Sequence, residues 1–279
     1  MSETIPSEQV AYQQDRSDII RANIKRFYIY FVLALVVVVF SVVRLDEVNW
    51  FERGHFLNPN NIINLLRIAV PIITVSGAFT FLMIAEYIDL SIGSAISLAG
   101  VVFAWVILNG FGFQMAVIAT IFAGLIMGLI NGFLVMKLNI TPVIATLITL
   151  SLYKGIALLI VPDQTSAIKS IGDQKMPAWI NNYGREDVLF GLPMAFFVAI
   201  AIVIVLIVLQ RRTVIGKYSA AIGGNKTAAE LSGISPVYWV SILYIIVGIS
   251  AAMAGMARAS FISMGDPLTG DGMELWVII

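Results

Sequence analysis

Thr146, Thr149 and Tyr153 fall at helical spacing within an apolar stretch, and Lys154 follows directly. Hydroxyls on one helix face donate and accept hydrogen bonds while adding no charge, which suits an uncharged polyol. A lysine near a bilayer centre costs about 2.5–3.5 kcal/mol on insertion scales, so Lys154 must face a partner or water. Nearer the outer surface it would instead snorkel. A second polar group, Asp89 with Ser91, interrupts the apolar sequence between residues 85 and 92. Both are placed to cap the helix that follows, and Asp89 is also a candidate contact for an ion or polyol. Thr146, Thr149, Tyr153, Lys154 and Asp89 are the candidate pathway residues.

Other chemistries are poorly provided for. The chain has no cysteine and one histidine, His55, which removes thiol chemistry, disulfides and a Cys/His zinc site. Gly223-Gly224-Asn225-Lys226-Thr227 has the outline of a phosphate loop. However, Asn225 stands where the glycine before the lysine belongs, and no apolar strand leads in. Gly216-Lys217-Tyr218 fails too, lacking the first glycine and the hydroxyl residue. No catalytic residue, metal or cofactor is expected. The net charge is zero, so nothing marks a nucleic-acid partner.

The stretch 223–236 carries its own folding instructions. Thr227-Ala228-Ala229-Glu230 fits a capping box, with the Thr227 hydroxyl accepting from the Glu230 amide and the Glu230 carboxylate reaching back to Thr227. Gly233 sits where a helix end takes a left-handed residue, and Pro236 blocks resumption soon after. This predicts a helix of one to two turns, too short to be stable alone, so a partner should hold it.

The surrounding sequence places that helix beside a lipid bilayer. The chain is 59% hydrophobic and 12% charged, with a mean hydropathy of +0.92, well beyond a soluble domain. Apolar runs at 27–43, 62–85, 92–108, 113–136, 143–161, 191–209 and 237–260 approach the roughly 20 residues that cross a bilayer. The expected fold is all-α: a polytopic bundle of about seven spans, with residues 1–26 as a cytoplasmic segment and 27–279 as the membrane domain. No cleavable signal peptide is expected, because the first apolar run starts late and no small-residue cleavage site follows. With the N-terminus inside, Arg16, Arg21, Lys25, Arg26, Lys137, Arg211, Arg212, Lys217 and Lys226 are cytoplasmic. Only Arg44, Arg53, Lys169, Lys175 and Arg185 lie outside. Nine against five fits the positive-inside rule, which makes 162–190 an outer loop and 210–236 a cytoplasmic one. That outer loop reads equally as a solvated connector or a docking surface, with Trp179 and Tyr183 as interfacial anchors. Gly124, Gly128 and Gly132 form a stripe for close helix packing, as do Ala251, Gly255 and Ala259.

Several pieces, in this order and separation, resemble the inner-membrane permease subunits of bacterial ATP-binding-cassette sugar importers of the ribose, galactose and xylose type. They are Phe56-Leu57-Asn58-Pro59-Asn60-Asn61-Ile62, Ile88-Asp89-Leu90-Ser91-Ile92-Gly93-Ser94, Gly128-Leu129-Ile130-Asn131-Gly132 and Thr141-Pro142-Val143-Ile144-Ala145-Thr146-Leu147. The strongest is Gly216-Lys217-Tyr218 with Ala221-Ile222-Gly223-Gly224-Asn225 and Ala228-Ala229-Glu230-Leu231-Ser232-Gly233-Ile234. The resemblance runs from about residue 56 to 275. It implies that Asn225, Thr227, Ala228, Ala229, Glu230 and Gly233 belong to a coupling element lying in a groove of an ATP-binding subunit. Thr227 stands where relatives often have an acid. The resemblance also implies a second permease chain, identical or not, and a periplasmic or secreted sugar-binding protein.

The competing class is a self-contained secondary transporter or channel. It would need ion-coupling groups near the midplane, and the charges placed in spans are Lys154, Arg67 and Arg258, with no acid mid-span. An intramembrane enzyme is weaker still, with no metal cluster and no Ser–His pairing. Past Gly270-Asp271-Gly272-Met273-Glu274-Leu275 the resemblance breaks off at Trp276-Val277-Ile278-Ile279. The expectation is a permease domain incomplete at its C-terminal end, with that end left outside and transport not possible alone.

Overall fold

A computed structural model describes residues 16–42, 58–161, 167–171 and 174–278. His55, Arg44, Arg53, residues 1–15 and the start of the Phe56 motif lie outside the described residues. Two compact units are present, residues 1–62 and 63–279. The described part of the first is chiefly helix α1, Arg16–Val42, whose apolar side chains from Phe27 to Phe40 are largely exposed.

The second unit carries the remaining helices: α2 (Pro59–Ile84, which begins just before the unit boundary), α3 (Ile92–Leu108), α4 (Phe113–Gly132), α5 (Pro142–Ile160), α6 (Asn181–Gly184), α7 (Met194–Arg212), α8 (Val214–Gly224), α9 (Lys226–Leu231), α10 (Pro236–Ile262) and α11 (Met273–Ile278). A π-helical turn, Phe133–Lys137, extends α4, with Leu138 N–H donating to the Phe133 carbonyl at 3.1 Å. A two-residue antiparallel ribbon, β1 (Ser170–Ile171) with β2 (Gln174–Lys175), lies in the long loop.

Among the described residues five helices are long and apolar enough to cross a membrane: α2, α4 with its π turn, α5, α7 and α10. Of the other two expected spans, Phe27–Phe40 and Ile92–Leu108 are shorter apolar helices. The helical membrane bundle stands, and the count of seven is not confirmed. The third run differs from the rest for a physical reason. Fifteen of the 17 residues of α3 are buried, with Trp105 exposed, so its apolar side chains face protein on nearly every side. Its continuous hydrophobicity is that of a central helix.

Small residues let other backbones close on α3 and on each other. A Cβ at Gly124 would lie 2.6 Å from the Ala252 Cβ, and one at Gly128 would meet the Tyr244 carbonyl and the Ile245 backbone. A Cβ at Gly100 would sit 3.1 Å from the Gly255 carbonyl. The glycine stripe of α4 therefore seats α10, and the small-residue stripe of α10 seats α3. Where lipid offers no hydrophobic drive for association, such close approach supplies the packing energy.

The described parts of the segment between α5 and α7 pack onto neighbouring elements. Ile168 and Gly265 exchange backbone hydrogen bonds at 2.7 and 3.0 Å. Gly184 lies against the Ser260–Phe261 backbone, and Arg67 pairs with Asp187 and donates to the Gly191 carbonyl at 2.9 Å. Trp179 and Tyr183 were expected as interfacial anchors; both pack against Phe113, with ring centroids 5.8 and 6.4 Å away.

After α10, residues 263–272 run back along α3 as irregular chain. Gly265 fits against Val101 and Ala104, and Gly270 against Gly93 and Ser97, its N–H donating to the Ser97 hydroxyl at 2.9 Å. Only residues lacking a Cβ fit this closely, and a hydropathy reading does not register that kind of packing.

Candidate functional site: a buried polar node and a capped helix

The turn between α2 and α3 is held by a compact polar node. Asp89 Oδ1 accepts from the Ser91 N–H at 2.8 Å and the Ser91 hydroxyl at 2.6 Å. The Asn131 amide donates to Asp89 Oδ2 at 3.0 Å and to Ser91 Oγ at 2.8 Å. Tyr153 donates to the Met127 carbonyl at 2.8 Å, and Tyr244 to the Ile88 carbonyl at 3.0 Å. α3, α4, α5 and α10 thus meet here. Asp89 is 3% exposed, and no cation lies within ion-pairing distance of it among the described residues. Ser91 does occupy the N-cap position of α3. It caps nothing with its side chain, because its hydroxyl is turned to Asp89. Asn131 is a primary amide among the glycines of an apolar span, and that is the sequence signal that singles it out.

The hydroxyl stripe is elsewhere than on an open surface. Thr146, Thr149 and Tyr153 are at most 1% exposed. Thr146 donates to the Pro142 carbonyl at 2.8 Å and Thr149 to the Thr146 carbonyl at 3.2 Å, within their own helix. Tyr153 joins the polar node. Lys154 stands apart from them, pairing with Asp271 at 2.5 Å on a partly exposed surface. Among the described residues no cluster of His, Asp and Glu is arranged to hold a metal.

The short helix predicted between Gly223 and Pro236 is present as α9, with a different N-terminal device. Asn225 is the cap, its Oδ1 accepting from the Ala228 N–H at 2.9 Å. The helix begins at Lys226, so Thr227 is inside the first turn and the Thr227–Glu230 box does not form. An asparagine two residues before the expected cap competes as well as a threonine. The C-terminal reading holds. Gly233 has φ 83°, its N–H donates to the Glu230 carbonyl at 3.0 Å, and Ile234 N–H donates to the Ala229 carbonyl at 3.0 Å. This is the Schellman arrangement.

α9 follows directly on a second helix, α8, in the stretch expected as a cytoplasmic loop. Thr213 caps α8, its hydroxyl accepting from the Ile215 N–H at 3.3 Å. Gly223 then packs against the Ile84 carbonyl and the Ala85 backbone at the end of α2. Within α9 only Ala229 is buried, while Leu231 is 86% exposed. Burial first, and then the Glu230 charge, raise the Tyr87 hydroxyl above its ordinary range. The helix pair α8–α9 is therefore set against the end of α2 through Gly223, and α9 offers an open face.

A helical bundle built on glycine contacts, with five helices among the described residues long and apolar enough to cross a bilayer, defines a polytopic membrane protein. Residues 61–279 match the family described as branched-chain amino acid transport system / permease component, and the chain belongs to that family of multi-pass inner-membrane permeases. It is similar to the D-allose transport system permease protein of Escherichia coli (strain K12), 30% identical over 89% of this chain and 72% of the relative. It also resembles the L-arabinose transport system permease protein of the same organism, 34% identical over 68% of this chain and 56% of the relative. The ribose import permease protein of Bacillus subtilis (strain 168) is 30% identical over 79% of this chain and 66% of its own length. The chain thus spans little more than half to somewhat under three quarters of these relatives. No solved structure matches it.

Proposed function

We propose that this chain is the membrane-spanning permease subunit of an ATP-driven importer for a monosaccharide or related small polar solute. ATP hydrolysis belongs to a separate subunit, and delivery of solute to a sugar-binding protein outside. A second permease chain completes the pathway. The relatives named for allose, arabinose and ribose support the solute class over the amino acids in the family description.

The observation that carries the coupling role is α9. It is a six-residue helix, capped at both ends, with one residue buried and the rest open. Asn225, Thr227, Ala228, Glu230 and Gly233 form the exposed surface, and Leu231 projects from it, while Ala229 seats it. A self-contained transporter has no need of such an element. ATP-driven closure acts on α9, passes through α8 to the end of α2, and so reaches the turn at Asp89. A partner shifts such an equilibrium only through its differential affinity for the two states.

The test is co-purification with the ATP-binding subunit. Ala229→Glu removes the seat, and Gly233→Pro the left-handed stop. Each is expected to abolish recovery of the ATP-binding subunit while the chain still inserts in the membrane. Recovery equal to the parent's with both changes present contradicts the coupling role.

A further inference from the structure

Two features of the second unit do not belong against lipid, and they lie side by side. The first is the Lys154–Asp271 ion pair, at 2.5 Å, with side chains 34% and 46% exposed. Lys154 stands 12 residues beyond the start of α5, roughly 18 Å along its axis, well inside a bilayer core of about 30 Å. The second is the irregular backbone of residues 263–272. It descends along α3 from the level of Val101 to that of Gly93, a drop of roughly 12 Å. Non-helical backbone at such depth persists only where protein buries it or water reaches it. Here Gly265, Pro267 and Gly270 are buried against the bundle, whereas Leu268 and Asp271 are exposed.

We propose that the surface formed by Lys154, Asp271 and the exposed edge of residues 263–272 is the wall of a water-filled cleft that receives a neutral polyhydroxylated solute. The inference rests on the importer reading above and adds the residues that face the solute. The hydroxyl stripe of α5 does not serve here, since Thr146, Thr149 and Tyr153 are buried and bonded within the protein. Lys154 offers ammonium donors and Asp271 carboxylate acceptors from one place, and their charges cancel. A solute hydroxyl beside the pair, which both donates and accepts, can take a remaining Lys154 hydrogen and give its own to a free Asp271 lone pair. A charged solute meets one partner of like sign. Behind the pair, Arg258 Nε donates to the Thr269 hydroxyl at 2.9 Å, and Asp266 accepts from the Leu268 N–H at 2.9 Å. These bonds fix the shape of the returning chain. Discontinuous segments at mid-depth are where transporters commonly place such sites.

The 279-residue chain has no cysteine, so single cysteines report accessibility directly. Leu268→Cys, which leaves the ion pair intact, and Asp271→Cys are treated in membranes with a membrane-impermeant thiol reagent. Leu159→Cys, 76% exposed on α5, and the buried Thr149→Cys are the comparisons. Positions 268 and 271 are expected to label about tenfold faster than both, because the reactive thiolate forms in water and not in hydrocarbon. D-allose, L-arabinose and D-ribose are then added separately, and at least one is expected to slow labelling at 271 and leave 159 unchanged. Labelling at 268 and 271 no faster than at 159 overturns the water-filled cleft. Fast labelling that none of the three sugars alters overturns the solute assignment. Neither result touches recovery of the ATP-binding subunit through α9, so failure here is separable from failure of the importer reading.

Discussion

Asp89→Ala removes the acceptor at the centre of the polar node, and the structure fixes what is stranded. The Ser91 hydroxyl oxygen still accepts from one Asn131 amide hydrogen at 2.8 Å. The Ser91 N–H, the Ser91 hydroxyl hydrogen and the second Asn131 amide hydrogen lose their acceptor in the node. Each buried donor left without an acceptor costs about 1–3 kcal/mol, so the loss for three is about 6 kcal/mol. For a chain of this size that corresponds to a fall in Tm of about 12–24 °C. Asp89→Asn keeps a carbonyl oxygen for both Ser91 donors and turns an amide against the Asn131 amide, one misfit instead of three stranded donors. Its fall is expected to be about a third as large. The assay is thermal unfolding of the detergent-solubilised chain, followed by tryptophan fluorescence. An alanine variant within about 2 °C of the parent refutes the reasoning, since a loss of that size is at most about 1 kcal/mol and leaves no room for three stranded donors.

Two smaller perturbations test other parts of the account. Asn225→Ala is expected to cost about 1 kcal/mol at α9 and Thr227→Ala only a few tenths, because the cap is Asn225; amide exchange at Ala228 should accelerate in the first variant alone, and the reverse order would restore the capping box. Gly128→Val places side-chain atoms on the Tyr244 carbonyl and Ile245 backbone, so α4 and α10 cannot close and the chain should be recovered aggregated, whereas Gly224→Ala, with nothing within 4 Å of the added Cβ, should behave as the parent in size-exclusion chromatography.

Much of this fold was legible because its signals are local. The glycine stripe of α4 and the Gly233–Pro236 stop each act within a few residues and are present in the structure, and five of the seven apolar runs are helices of span length. The N-cap was misplaced by two residues because Asn225 and Thr227 both qualify and only the geometry of the turn chooses. α8 was missed because Val214 to Gly224 mixes apolar and small residues over 11 positions, and its stability comes from packing Gly223 against α2, a non-local contact. The role of α3 was hidden for a similar reason, since hydropathy does not distinguish a helix buried in protein from one facing lipid. The hydroxyl stripe had the right spacing and the wrong environment: a hydroxyl can satisfy its own helix carbonyls, and Thr146 and Thr149 do. Asp271 acquires its meaning only when the chain turns back along α3 and meets Lys154.

The central claim is that the open face of α9 seats an ATP-hydrolysing subunit, and contact at Leu231 tests it most directly. A photo-crosslinking residue placed at position 231, 86% exposed at the end of α9, is illuminated in membranes containing the chain and its ATP-binding subunit. The account predicts a crosslink to the ATP-binding subunit from position 231, its loss when Ala229→Glu is added, and none from position 159 on the outer face of α5. A crosslink from 159 and none from 231, with both proteins present and the chain inserted, would contradict it.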